Sequence, residues 1–302
     1  MKDIFALRLY TRVARLGSFS AAARECGLSQ SQASRTIAEL ESDLGVRLLT
    51  RTTRAVVLTD AGAQFLSRID PILVALDDAE QSVREGGELR GMLRMSMPSS
   101  VATREVIPRL APFIALHPEL RLDVMTGDKP QDLVRDAVDV AIRLGRLPDS
   151  TATARRIGMI PRVVVASPGY LAAHGEPDTP EALNGHRIVA GPASIVPTAW
   201  RFTQAQQEIA VELDAHFSTN ENEAAVAAAS AGLGITSTSE WACRRELNDG
   251  TLVRLLTGWH LADIPVHAYF PMGRATRLAG RAVVDYLVAD LQRDESRPPL
   301  AG

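Results

Sequence analysis

Residues 18–54 read S-F-S-A-A-A-R-E-C-G-L-S-Q-S-Q-A-S-R-T-I-A-E-L-E-S-D-L-G-V-R-L-L-T-R-T-T-R, and this stretch decides the fold of the N-terminal region. From Ser29 to Gly45 the apolar residues Ala33, Ile37, Leu40 and Leu44 recur at three- and four-residue steps, the stripe of one buried helix face. The opposite face carries Gln30, Ser31, Ser34 and Arg35 near its start, side chains whose donors and acceptors suit base edges and phosphates. Ser29 and Gln32 form a capping box that fixes where those groups project, and Gly45 marks the stop. Upstream, Ser18 or Ser20 can cap a short helix through Ala21, Ala22, Ala23 and Cys26, ended by Gly27. Helix, glycine turn, helix is the spacing of a helix-turn-helix. An ordinary helical hairpin with a solvated polar face has the same spacing.

Outward from that pair, residues 3–15 set Phe5, Leu9 and Val13 on one stripe and predict a supporting helix. After Gly45, V-R-L-L-T-R-T-T-R-A-V-V-L-T predicts a small hairpin, or wing, with Arg51 and Arg54 at its turn. Arginines there can lie against phosphates and add salt-dependent affinity; solvated surface charge is the alternative. Thr59 is an N-cap for a long helix carrying Leu66, Ile69, Leu73, Leu76 and Val83, with Phe65, Ile72 and Ala79 beside them. Such a stripe packs on its own domain or pairs with a second copy, and the near-heptad spacing favours the pair. Pro71 should kink or loosen this helix, Glu80 weakens the seam, and G-G-E-L-R-G after it reads as a hinge. The expected division is a DNA-binding unit over residues 1–60, a linker helix and hinge over 61–90, and a body over 91–302.

The chain has 302 residues, 46% hydrophobic and 23% charged, which suits two or three globular units rather than disorder. Its net charge of -3 argues against a nucleic-acid partner until it is divided: residues 1–60 carry +3 and the remainder -6. A mildly basic head on an acidic body fits a DNA module carried by a domain that does not touch DNA. Cys26 and Cys243 are too few for a metal cluster or disulfide framework and read as buried free thiols in a reducing cytoplasm. Charges interrupt the first fifteen residues, so no signal-peptide core is expected, and no apolar run is long enough to span a bilayer.

Four blocks carry a resemblance: G-S-F-S-A-A-A-R at Gly17–Arg24, L-S-Q-S-x-x-S-R at Leu28–Arg35, L-E-x-x-L-G-x-x-L-L-x-R at Leu40–Arg51, and L-T-x-A-G at Leu58–Gly62. In this order and spacing the chain resembles the LysR-type transcriptional regulators. P-D-S-T-A-T-A-R-R-I-G followed by R-V-V-V-A-S-P-G-Y-L-A-A-H-G is similar to the CrgA-like branch. The resemblance implies an α/β protein overall: a winged helix-turn-helix, a dimerising linker helix, and a two-lobed effector domain like type 2 periplasmic binding proteins. It sets the crossings between lobes near Val165–Pro168 and Val266–Pro271. It also implies a homodimer or homotetramer, a partly palindromic promoter site on double-stranded DNA, contact with RNA polymerase, and control by a small-molecule effector, by analogy a carboxylate. Gln32 stands where the family commonly has a small apolar residue, and Thr36 where a longer polar one is common, which leaves the base preference open.

From Leu93 onward short apolar runs alternate with helical stretches, among them 102–117 and 130–138, as in a parallel α/β domain. Strand-like runs fall at Val138–Leu144, Arg162–Ala166, Arg187–Ala190, Leu233–Ser237 and Ile264–Phe270, and a last helix at about Arg277–Arg293. Ligands collect at the carboxyl ends of such strands, where helix N-termini present free N–H groups. This selects Ser99 and Ser100 after the first strand, Thr126 at the end of the second, Asn220 before a later helix, and Thr236 at a later strand end. Met125, Gly127 and Ser237 lie at the same ends. Arg143 ends an apolar strand, where it pairs either a ligand carboxylate or an internal acid. Trp200 and Trp241 fit an aromatic wall or the core. The six histidines make no H-E-x-x-H pair, and no G-x-S-x-G elbow, P-loop or dinucleotide fingerprint occurs. No catalytic residue, metal or cofactor is therefore expected. The rival readings are a regulator that needs no ligand, a solute-binding transport protein, and an enzyme with a DNA-binding head.

Overall fold

The computed structural model describes residues 3–51, 56–82, 88–129, 131–133, 136, 138–145, 153–192, 199–271, 273 and 278–295. Helices α1 (Ile4–Leu16), α2 (Phe19–Glu25) and α3 (Gln30–Leu44) form the N-terminal unit. Ala22, Ala23 and Ala33 are small enough to bring the helices close, and Leu9, Tyr10, Val13, Phe19, Ile37 and Leu40 fill the core between them. Ser18, not Ser20, caps α2 by accepting from the Ala21 N–H at 3.3 Å. The capping box of Ser29 and Gln32 forms in full, and Gly27 and Gly45 take left-handed φ values of 67° and 66°. Phe5 does not join the stripe expected of it: it is 41% exposed, because the buried face of α1 runs through Ala6, Leu9, Tyr10 and Val13.

Strand β1 (Leu49–Arg51) pairs antiparallel with β2 (Val56–Leu58) as the wing. Helix α4 (Asp60–Ser82) then runs past Pro71 without a break. The L-T-x-A-G block fastens this helix to the reader unit. The Thr59 hydroxyl donates to the Arg47 carbonyl at 2.7 Å and accepts from the Gly62 N–H at 3.0 Å. Gly62 approaches the wing so closely that a Cβ there would sit 2.0 Å from the Leu48 carbonyl oxygen. The Tyr10 hydroxyl donates to the Gly62 carbonyl at 2.8 Å, and burial drives its phenol well above the usual range. Phe65, Leu66, Ile69 and Leu73 pack on the same core, and Arg15 pairs with buried Asp70. Ile72, on the other side of α4, is 60% exposed. Val83 and the Glu80 side chain lie outside the described residues.

The body begins with β3 (Gly91–Met97). A continuous helical stretch follows, in which α5 (Ser99–Val101) passes through a π-helical turn (Ala102–Val106) into α6 (Ile107–Leu116). Then come β4 (Leu120–Thr126), β5 (Val140–Leu144) and β6 (Thr153–Ile160). A second lobe holds β7 (Arg162–Ala166), α7 (Pro168–His174), β8 (Ile188–Ala190), β9 (Ala199–Gln204), β10 (Gln207–Glu212) and β11 (Ala215–Ser218). It continues with α8 (Asn222–Ser230), β12 (Thr236–Ser239), α9 (Glu240–Asn248), β13 (Val253–Leu255) and β14 (His260–Leu261). The chain returns through β15 (Ile264–Phe270) and ends on α10 (Leu278–Glu295).

The first lobe is one sheet in the order β4-β3-β5-β15-β6. Strand β3 runs parallel to β4 and β5, whereas β15 is antiparallel to β5 and β6. The sheet is therefore mixed rather than parallel, since a strand returning from the other lobe enters from the opposite end. In the second lobe β12-β7-β13 is antiparallel, β8 and β11 are parallel, and a bridge between Ile188 and Ile235 joins the two groups.

Both crossings lie earlier than the sequence implied. The chain leaves the first lobe at Pro161, between β6 and β7, and returns through residues 262 and 263. Pro161 alone separates β6 from β7, two strands in different lobes, and all of β15 already belongs to the first sheet. The described residues of 130–138 are turn and coil instead of helix, tied by the Val138 N–H donating to the Leu133 carbonyl at 2.9 Å. The strand expected from Leu233 starts at Thr236, because residues 232–234 turn the chain out of α8. Trp200 and Trp241 are both buried in the core.

Candidate nucleic-acid interface and the cleft between the lobes

Helix α3 presents two chemically distinct faces. Ala33, Ile37, Leu40 and Glu41 are buried, while Gln30, Ser31, Gln32 and Arg35 are exposed and Ser34 and Thr36 are half-buried. The Gln32 Oε1 accepts from the Ser29 N–H at 2.9 Å and from the Ser29 hydroxyl at 2.8 Å. Its carbonyl therefore serves the cap, and its amide is the group left for a partner. Arg35 meets Glu39 at 3.1 Å, but their side chains are 84% and 67% exposed, and so open a pair competes weakly with a phosphate or a base edge. Arg51 has its backbone in β1; its side chain and all of Arg54 lie outside the described residues.

Sequence reasoning missed Glu41. Its buried carboxylate accepts from the Leu48 N–H at 2.8 Å, the Leu49 N–H at 2.9 Å and Arg47 at 3.1 Å. The reader helix and the first wing strand are thereby stitched together behind the exposed face. The signal was present in L-E-x-x-L-G, as an acid beside an apolar stripe position.

In the body, the start of α5 faces the start of α8 across the lobes. The Ser99 hydroxyl donates to Glu221 at 3.3 Å, and the Asn222 N–H donates to Asp128 at 2.7 Å. Ser100 is 2% exposed and its hydroxyl has no partner among the described residues. Burial raises the Asp128 pKa above the usual aspartate value, partly offset by the Asn222 and Ser99 N–H groups, which favour its charged form. Further along the same helical stretch Arg104 bridges Glu223 and Glu246, each at 2.8 Å, and Glu105 meets Arg244 at 3.1 Å. Arg104 holds the Glu223 carboxyl below its usual range.

The remaining candidates separate. Thr126 is exposed at the end of β4. Asn220 is also exposed, but it is not the cap expected of it: α8 is entered through Glu221. The buried polar residue there is Asn222, whose side-chain oxygen accepts from the Thr238 hydroxyl at 3.0 Å while its side-chain nitrogen has no partner among the described residues. Thr236 is fully buried and donates to the Val189 carbonyl at 2.9 Å, so its hydroxyl is already used inside the sheet. Of the two carboxylate partners weighed for Arg143, the internal acid is not found among the described residues. The guanidinium donates to Ser96 at 2.9 Å, to the Ile142 carbonyl at 3.0 Å and to Gln131 at 3.4 Å, and burial lowers its pKa. Met125 and Gly127 are half-buried, and the enclosed Ser237 hydroxyl has no partner among the described residues.

Both cysteines are free; Cys26 is half-buried rather than buried, and burial pushes the Cys243 thiol up to about 12. Among the described residues no group of three or more His, Cys, Asp or Glu could hold a metal ion, and no helix is long and apolar enough to cross a membrane.

The model of the bacterial regulatory helix-turn-helix protein, lysR family, matches residues 4–63, and that of the LysR substrate binding domain matches residues 86–292. An HTH-type transcriptional regulator of Xanthomonas campestris is 34% identical over 300 residues, covering 97% of this chain and 86% of that protein. The structure of CrgA, a LysR-type transcriptional regulator from Neisseria meningitidis, is 30% identical with a TM-score of 0.61, covering 96% of this chain and 99% of that one. Full-length AphB, the Vibrio cholerae virulence activator, is 27% identical with a TM-score of 0.58, covering 95% and 99%.

Proposed function

The chain belongs to the LysR family of bacterial transcriptional regulators, and from that premise we propose how its own residues do the work. Gln30, Ser31, Ser34 and Arg35 read base edges in the major groove, the Gln32 amide adds a contact beside its capping role, and Arg51 and Arg54 hold phosphates from the wing. The observation that carries this reading is one helix with a sealed apolar face, a fixed N-terminus and an exposed polar row. The unit comprises residues 1–60, the linker 61–90 and the effector body 91–302. Two chains pair along α4, where Ile72 is exposed, and so present two readers to a partly palindromic site; tetramers and contact with RNA polymerase extend the same arrangement.

The switch is a small molecule between the lobes, touching Ser99, Ser100, Thr126, Arg143 and Asn220, with a carboxylate as the favoured class because helix N-termini and a guanidinium both suit an anion. It acts by binding one angle between the lobes more tightly than another. A cytoplasmic site of action and the absence of catalysis belong to the same reading. A ligand-independent regulator is the second reading, favoured by the Ser99–Glu221 and Asp128–Asn222 contacts, which already bridge the lobes.

The test is fluorescence-anisotropy binding of full-length protein to DNA upstream of its own gene against a scrambled duplex, at two salt concentrations. Preference that survives higher salt is the expected result. Equal, steeply salt-sensitive binding to both duplexes would reduce the interface to phosphate attraction. Thermal-shift screening separates the two switch readings, since a ligand of the folded state raises apparent stability.

A further inference from the structure

The contact between the lobes already holds a carboxylate of the protein's own. Gly127, at a φ of 151° that residues with a side chain rarely adopt, turns the chain out of β4, and its N–H donates to the Met97 carbonyl at 3.1 Å. Asp128 is thereby set against the helical stretch that opens at Ser99. Its carboxylate accepts from the Asn222 N–H at the start of α8, on the second lobe, at 2.7 Å, and the Ser99 N–H, on the first lobe, also favours its charge. Two opposed helix starts, each with N–H groups unused by its own helix and a partial positive charge, share one anion across the lobes.

That seat is only partly satisfied. The Asp128 Oδ1 is enclosed without a partner among the described residues. The same holds for two donors at the same helix starts, the Ser100 hydroxyl, 2% exposed, and the side-chain nitrogen of fully buried Asn222. Enclosed polar groups left unpaired are costly, and a ligand that reached them would recover that cost. Burial, and after it the charges of Glu221 and Glu223, oppose the charge on Asp128, while the two amides support it. The carboxylate is therefore held in place by a small difference between opposing effects, as a displaceable group must be.

We propose that Asp128 is a tethered stand-in for the effector: its carboxylate occupies the anion seat between the two helix starts, and an external carboxylate acts by displacing it. This rests on the cleft reading above and adds what the effector competes with. A tethered competitor lowers apparent affinity in proportion to the fraction of time the seat is free. Formate, the group that Asp128→Ala removes, is the probe. Melting of full-length Asp128→Ala in sodium formate, against sodium chloride at equal ionic strength, should show a formate-specific rise that the unmodified protein lacks. Saturation-transfer NMR should find formate bound about tenfold or more tighter in the variant, as follows if Asp128 fills the seat about nine-tenths of the time. Ser99→Pro deletes one seat amide with little change of backbone path. Pro98 already holds the ψ of 145° that a residue before proline needs, and proline is tolerated in a first helical turn. Added to Asp128→Ala, it should abolish the gain. No formate-specific rise, or a rise that survives Ser99→Pro, overturns the proposal. If Asp128→Ala does not melt cooperatively even in formate, Asp128→Asn decides, since it keeps the shape and removes the charge. Formate affinity there above that of the unmodified protein supports displacement, and equal affinity sinks it. The effector screen is run on the unmodified protein, so a chain that senses no small molecule and a seat that Asp128 does not fill fail in different experiments.

Discussion

In the N-terminal unit the exposed row from Gln30 to Arg35 is held from behind by Glu41 on the wing amides, Gly62 against the Leu48 carbonyl and Tyr10 on Gly62. In the body, the cleft is held by polar bridges between residues far apart in the chain: Ser99 to Glu221 across 122 positions and Asp128 to Asn222 across 94. The first arrangement buries backbone donors and a close backbone contact, which have no second low-energy arrangement. The second joins two lobes through partly hydrated charges that can part and re-form. On the proposed reading, the surface that matches DNA is kept rigid and the one that reports a ligand is kept adjustable.

Substitutions can break that contrast. Glu41→Ala should have the largest effect, because it leaves two buried amides without acceptors at about 1–3 kcal/mol each; calorimetry should show the N-terminal transition falling, with Glu41→Gln recovering part of it. Gly62→Ala comes next, about 1–3 kcal/mol for forcing a methyl against the Leu48 carbonyl. An unchanged melting temperature there would mean that the helix lifts freely from the wing. Arg35→Ala should cost about 1–3 kcal/mol in binding at the cognate site without touching stability; loss shared equally by all sequences would make Arg35 a phosphate contact.

On the body's side, Arg104→Leu should lower stability by only about 1 kcal/mol, since its pairs are partly solvated. It should nonetheless change effector affinity through the lobe angle, and a loss of several kcal/mol would show the lobes to be as fixed as the head. The smallest effect is on pH dependence. Glu223, depressed by Arg104, stabilises above the ordinary glutamate value and loses that contribution as pH falls through its folded value. Asp128, raised by burial, works the other way: its contribution is present below the ordinary aspartate value and is lost as pH rises through its folded value. The two act in opposite directions as the pH falls. Thermal melts of Asp128→Asn should therefore show a steeper acid-induced loss than those of the unmodified chain.

The head was legible because its determinants are local. Capping box, glycine stops and wing all lie within a few residues of what they act on, whereas Phe5, which stands outside the buried stripe, and Glu41, whose partners include the amides seven and eight residues away, were not read correctly. The body's strands were found where apolar runs were uninterrupted, as in Arg162–Ala166 and Ile264–Phe270. Its crossings were placed by the resemblance alone, and periodicity could not correct them, since one residue separates β6 from β7 and nothing in a strand's own pattern says which sheet it joins. Asn222 and Asp128 were missed for a different reason: a buried polar group is recognised by what surrounds it, and their surroundings come from distant segments.

The crossing at Pro161 carries one more consequence. A single residue joins β6 to β7, two residues join β14 to β15, and Ile160 and Ile264 lie side by side in the first sheet. Two short, adjacent straps suppress sliding and leave mainly swing about one axis. On the reading proposed above, whatever the body senses would reach the DNA as an angle, and the regulator's output would be mechanical leverage rather than reach.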